Sequence, residues 1–69
     1  MKVIEIAITT EEKLIVSRLS KGDQAEKIGF DLGYAKGTFA TKMQQIRGKY
    51  GCYNTPHLVA YFLRNQIIQ

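Results

Sequence analysis

Thr41, Gln44 and Gln45 stand in the stretch YAKGTFATKMQQIRGKY, residues 34–50. A glutamine can make paired hydrogen bonds to adenine, and a threonine can bond a base edge or pack on a thymine methyl. Lys36, Lys42, Arg47 and Lys49 interrupt the same stretch, and no acid does. Lysine and arginine grip phosphate, which adds affinity without sequence information. The chemistry on offer is recognition of a polyanion. No Ser/His/acid set, metal-ligand spacing or phosphate loop accompanies it. The glycines of GFDLGYAKG fit no nucleotide fingerprint and serve turns. One cysteine, Cys52, and one histidine, His57, give no internal disulfide and no Cys/His metal cage. The chain therefore reads as a non-enzyme that needs no cofactor and no metal. Cys52 is expected as a small buried apolar residue and His57 as a surface or capping residue at the start of the last helix.

These residues need a helix to present them. Phe39, Met43, Ile46 and Tyr50 are spaced by four, three and four. At about 100° per residue Met43, Ile46 and Tyr50 fall within about 40° of Phe39, a narrow stripe that must pack inward. The opposite side of that helix, expected over residues 36–49, holds Thr41, Gln44, Gln45 and Gly48, with Ala40 at its edge. Lys42 and Lys49 lie on one flank and Arg47 on the other. An outward face that is uncharged, with cations on both margins, suits the DNA major groove, which admits an α-helix. The same face also fits plain solvation.

Three more helices frame this one. Thr9 with Glu12 three positions on makes a capping box and starts a helix over residues 10–20, with Ile15, Val16 and Leu19 inward. Asp23 is placed to cap the next helix, over 24–32, with Glu26 as its reciprocal partner. Ala25, Ile28, Gly29 and Leu32 form its buried stripe. Alanine at position 29 would be the better helix former by about 1 kcal/mol, so a glycine there points to close approach of another helix. Gly33 and Gly51 suit the left-handed position that ends a helix. Asn54 or Thr55 caps a last helix over 56–66, with Pro56 in its first turn. Residues 1–8 read as an extended lead-in with Ile4, Ile6 and Ile8 on one side, packed on the domain or paired with a second copy. The fold class is all-α: one four-helix helix-turn-helix domain across residues 1–69.

Composition sets the bounds. A chain of 69 residues is one domain at most, and it buries only about 60% of its unfolded surface. No apolar run approaches the roughly 18 residues of a membrane span, and the opening MKVIEI is no signal peptide. A cytoplasmic, nucleoid-associated protein without a membrane partner is expected. Net charge is +4, and every acid precedes residue 32. The acid-free half is where a polyanion would be met.

The order of these residues resembles the helix-turn-helix domain of the LuxR/FixJ/GerE family of bacterial transcription regulators. The likeness covers about residues 8–68 without a gap. It runs through Ile8-Thr9 with Glu12, Gly22, KIGFDL, the GTF of Thr38 and Phe39, IRGKYGCYN, and Leu58-Val59-Ala60. No single piece is specific, but the ungapped series is. The resemblance implies a four-helix domain whose third helix enters the major groove and whose fourth often forms a dimer. It implies base contacts from Ala40, Thr41 and Gln44, and backbone contacts at or near Thr38, Lys42, Arg47 and Lys49. Gln45 is added by periodicity alone. The chain departs from the family in having Ala40 where Lys or Arg is frequent, Lys42 where His is common, and Ala35 in place of the usual serine cap.

The last helix is apolar over most of its circumference, so it has more than one surface to cover. Val59, Phe62, Leu63 and Gln66 are the expected faces of a homodimer, which would set two recognition helices about one DNA turn apart. A monomer whose last helix is covered by the N-terminal segment is the other arrangement. The function expected is a stand-alone, sequence-specific regulator that binds double-stranded DNA. The rival is a small protein-interaction module on the same fold that binds another regulator or RNA polymerase. A sigma-factor region-4-like domain is disfavoured by the YGCYN loop and the apolar last helix.

Overall fold

The computed structural model describes residues 7–69. Four helices follow one another there: α1 (Thr10–Ser20), α2 (Ala25–Asp31), α3 (Lys36–Lys49) and α4 (Thr55–Arg64), with no strand among the described residues. The all-α class and the four-helix order stand. The lead-in expected over 1–8, with Ile4 and Ile6, falls almost wholly outside the described residues. Ile8 is 37% exposed.

Local chemistry fixes most boundaries. The Glu12 N–H donates to Thr9 Oγ1 at 3.0 Å, and the Thr9 N–H donates back to Glu12 Oε1 at 3.1 Å. That satisfies two of the orphan groups at the start of α1. Asn54 caps α4 by accepting the His57 N–H at 2.8 Å, with Pro56 in the first turn. His57 Nδ1 in turn accepts the Tyr53 N–H at 3.1 Å, so the histidine completes the cap. α3 starts at Ala35 with no side-chain cap. The α2 start corrects the sequence reading. Its cap residue is Gln24, again without a side-chain bond. Asp23 is held instead by Arg18 at 2.8 Å, and Arg18 also reaches Asp31 at 2.9 Å. A bidentate-capable guanidinium competes better for the carboxylate than one backbone N–H does.

Gly33, at φ +84°, turns the chain between α2 and α3. The Tyr34 N–H then reaches the Gly29 carbonyl at 2.9 Å and closes the end of α2. α4 stops by the same geometry but earlier than the 66 expected. Gln66 takes the left-handed φ of +58°, and the Ile67 N–H reaches the Phe62 carbonyl at 2.8 Å. A glutamine gives no sequence signal for that conformation.

α1 packs on α4 and α2, and α2 packs on α3. The core joins Ile15 and Val16 of α1, Ile28 of α2, Phe39, Met43 and Ile46 of α3, Leu58 and Phe62 of α4, then Tyr50, Cys52 and Ile68. The stripe expected on α3 is all buried, and Cys52 lies in the core, where burial pushes its thiol pKa up. Gly29 sits where the two helices of the α2–α3 pair touch. A Cβ added there would come 2.6 Å from Phe39 Cγ.

Candidate nucleic-acid interface

The packing of α3 divides its surface into three sectors. The first points to solvent. Thr38, Thr41, Gln44, Gln45 and Gly48 are all exposed there. Thr41 Oγ1 donates to the Gly37 carbonyl at 3.2 Å, which anchors the hydroxyl on its own helix. The buried stripe on the far side fixes the rotation of α3, so this uncharged face cannot turn inward without exposing Phe39, Met43 and Ile46.

The second sector faces α1. Lys42 Nζ lies 3.1 Å from Glu11 Oε1, and the Tyr34 hydroxyl donates to Glu11 Oε2 at 2.8 Å. The Tyr34 and Lys42 hydrogen bonds hold Glu11 below its ordinary pKa, and Glu11 pushes Lys42 up. Lys49 Nζ lies 3.0 Å from Glu12 Oε2 and also donates to the Ala7 carbonyl. Glu12 is 5% exposed and accepts the Tyr50 hydroxyl at 2.6 Å. Burial pushes the Glu12 pKa up, but the bonds from Tyr50, Thr9 and Lys49 outweigh it, and the net direction is down.

The third sector faces a groove beside α2. Ala40, Arg47 and Lys36 line it, with Met43 deeper. Arg47 is half-buried and has no ion pair among the described residues. Lys36 pairs with Glu26 across 3.3 Å, but both side chains are mostly in water, where such a pair is worth little.

Of the eight residues expected at DNA, Thr38, Thr41, Gln44 and Gln45 thus share one open face, and Ala40 and Arg47 stand at its groove edge. Lys42 and Lys49, expected at or near backbone phosphates, are ion-paired to Glu11 and Glu12 of α1. Neither the charge count nor the helical wheel shows these pairs, because they depend on α1 lying alongside α3.

The α4 surface also needs one correction. Phe62 is fully buried and stacks edge-on to Tyr50, ring centroids 5.1 Å apart, so it has no surface to offer a partner. Leu63 is 44% exposed, Val59 is half-buried, and Gln66 is exposed beyond the helix end. Sequence reading missed three residues. Glu11 and Tyr34 left no local signal, since their contact spans 23 residues of chain. Phe30 did leave one: it lies opposite the buried stripe of α2, and it is 81% exposed. No protein-family model, curated protein or solved structure matches the chain. Among the described residues no helix is long and apolar enough to cross a membrane.

Proposed function

We propose that this chain is a sequence-specific DNA-binding transcription regulator that lays α3 in the major groove. The carrying observation is the outward face of α3: exposed, uncharged and able to hydrogen-bond over Thr38, Thr41, Gln44 and Gln45. The resemblance to LuxR/FixJ/GerE-type helix-turn-helix domains, through the GTF and IRGKYGCYN segments, supports the same face. Gly48 lets the helix approach closely, and Arg47 and Lys36 remain at its groove edge to meet phosphates. A homodimer through Leu63 and Val59 of α4 would present two such helices to half-sites one turn apart.

The test is enrichment from a random-sequence duplex pool at two salt concentrations. Wild type is expected to select one motif, with affinity falling as salt rises. Gln44→Ala/Gln45→Ala, on exposed positions, is expected to leave the fold intact and lower specific affinity by about tenfold or more, since each good bidentate base pair contributes roughly 1–3 kcal/mol. If no sequence is enriched and binding at low salt is negligible, the proposal fails.

A second reading has one observation in its favour. Lys42 and Lys49, the cations nearest the outward face on one side, are neutralised by α1. A protein-interaction module on this fold needs no free cations there, and it would leave the random pool unselected.

A further inference from the structure

Beside α3, on the flank away from α1, an open groove of about 630 Å³ runs between α2 and α3. Its floor is apolar and shallow because the residues there are small: Ala25 and Gly29 from α2, Ala40 from α3, with Met43 beneath. The 2.6 Å approach of a Gly29 Cβ to Phe39 shows how close the two helices run at that point. Phe30 stands as its wall, 81% exposed, the most exposed apolar side chain of any helix among the described residues. An aromatic ring left in water beside an apolar trough does nothing for the fold, since Ile28 and Gly29 already bury the inner face of α2.

The rim is charged, and mostly one way. Lys27 stands next to Phe30 with its side chain 67% exposed and 3.6 Å from Asp31, Lys36 lies at one end in its exposed pair with Glu26, and Arg47 lies at the other; exposed pairs of this kind yield readily to a competing carboxylate, and Glu26 is the sole acid on the lining. Lys36 and Arg47 are eleven residues apart on α3, so the trough extends about 16 Å, roughly three helical turns. We propose that this groove is a docking site for a short acidic amphipathic helix of a partner protein. Its apolar side chains would seat against Phe30 and over Gly29 and Ala40. Its carboxylates would meet Lys27, Lys36 and Arg47. Helix-in-groove binding uses apolar anchors at about one-turn spacing, which matches the length of the floor. The excess of cations on the lining disfavours a basic helix, and the separation of Lys36 from Arg47 along α3 favours an extended acidic surface over a single anion. The groove shares Lys36, Ala40 and Arg47 with the margin of the proposed DNA face, while Lys27, Gly29 and Phe30 of α2 belong to the groove alone.

The probe is a synthetic helix-forming peptide of glutamate and alanine carrying one phenylalanine and, one turn on, one leucine. Two controls replace the apolar pair by alanine, or every glutamate by lysine. Amide chemical shifts of the labelled full chain report where each binds. The acidic apolar peptide is expected to shift amides of α2 and of the Lys36 to Arg47 flank of α3. Phe30→Ser is expected to weaken it about tenfold, as loss of an aromatic anchor does, with unchanged thermal unfolding because the ring is exposed. Leu63→Ser on α4 is expected to leave it alone. The proposal is overturned if the peptide causes no groove shifts, if the lysine or alanine control binds equally, if Phe30→Ser leaves the affinity unchanged, or if the groove amides shift with protein concentration alone, which would make a second copy the occupant. DNA selection with Phe30→Ser is a separate readout, so this site and the reading of α3 fail independently.

Discussion

Three donor groups converge on the Glu12 carboxylate in a site that is 5% exposed: the Thr9 N–H, the Lys49 ammonium and the Tyr50 hydroxyl. Only the first was legible in the sequence, because a capping box is a spacing of three. Tyr50 is 38 residues away, and its hydroxyl sits at the tip of a side chain whose ring belongs to the core stripe. The periodicity that placed the ring inside gave no reason for the oxygen to find an acid there. Removing the acid is worse than removing the donor. Glu12→Ala strands a buried hydroxyl and loses the cap partner, an expected cost of about 2–3 kcal/mol. Tyr50→Phe removes the hydroxyl itself and is expected to cost about 1 kcal/mol. Urea unfolding of both variants checks the order; equal losses would mean that the stranded hydroxyl and the lost cap partner add no penalty of their own. Glu12 also sets a pH dependence. Its folded pKa lies below the unfolded value of 4.5, so the folded state holds the proton less tightly than the unfolded chain does. Its contribution is complete above that value and is lost as pH falls through the folded pKa. Glu11 and Asp31 are depressed too, so Glu12→Gln is expected to flatten the acid limb only in part, as thermal unfolding in a pH series would show.

The helices were legible where their ends are local chemistry and illegible where a distant side chain or an unsignalled backbone decides. α1 starts at its capping box, and α3 spans the expected residues although no side chain caps its start. The α2 cap was misassigned because Arg18, on another helix, holds Asp23. The α4 end was misplaced because a glutamine takes the left-handed turn. Gly29 shows the reverse case, a sequence anomaly with a packing cause. Ala in its place gains about 1 kcal/mol of helix propensity. It also drives a Cβ to 2.6 Å from the root of the Phe39 ring, which cannot swing away as a flexible tip would, and overpacking of this kind costs about 1–3 kcal/mol. Gly29→Ala is therefore expected to be net destabilising, lowering Tm by about 4–8 °C per kcal/mol for a domain of this size. Ala35→Ser adds the side-chain cap that α3 lacks and is expected to raise stability by about 1 kcal/mol. A Gly29→Ala variant that melts higher than wild type in circular dichroism would remove the close-approach account.

At the scale of the whole molecule, the division of charge along the chain is not its division in space. The acid-free half supplies α3, but α1 folds its acids against one flank of that helix, and the +4 excess is left elsewhere. The outward face itself was legible, because it depends only on helical period and a buried stripe. Its electrostatic frame was not, because that depends on which helix lies alongside. The two ion pairs differ in depth. Lys49 meets a buried acid and belongs to the core network, whereas Lys42 and Glu11 are each about a third exposed, so that pair contributes little to stability. Glu11→Gln should therefore leave the fold nearly unchanged while releasing a cation at the edge of the proposed DNA face. Released, Lys42 can neutralise one phosphate. The expected result is tighter binding to duplex DNA at low salt, with the slope of log affinity against log salt steeper by about 0.9. Gln44→Ala/Gln45→Ala in the same background should lower affinity for the selected site without altering that slope, since base contacts release no counterions. A Glu11→Gln variant with wild-type affinity and wild-type slope would show that Lys42 lies out of reach of the phosphates, and would shift the docking of α3 toward its Arg47 edge.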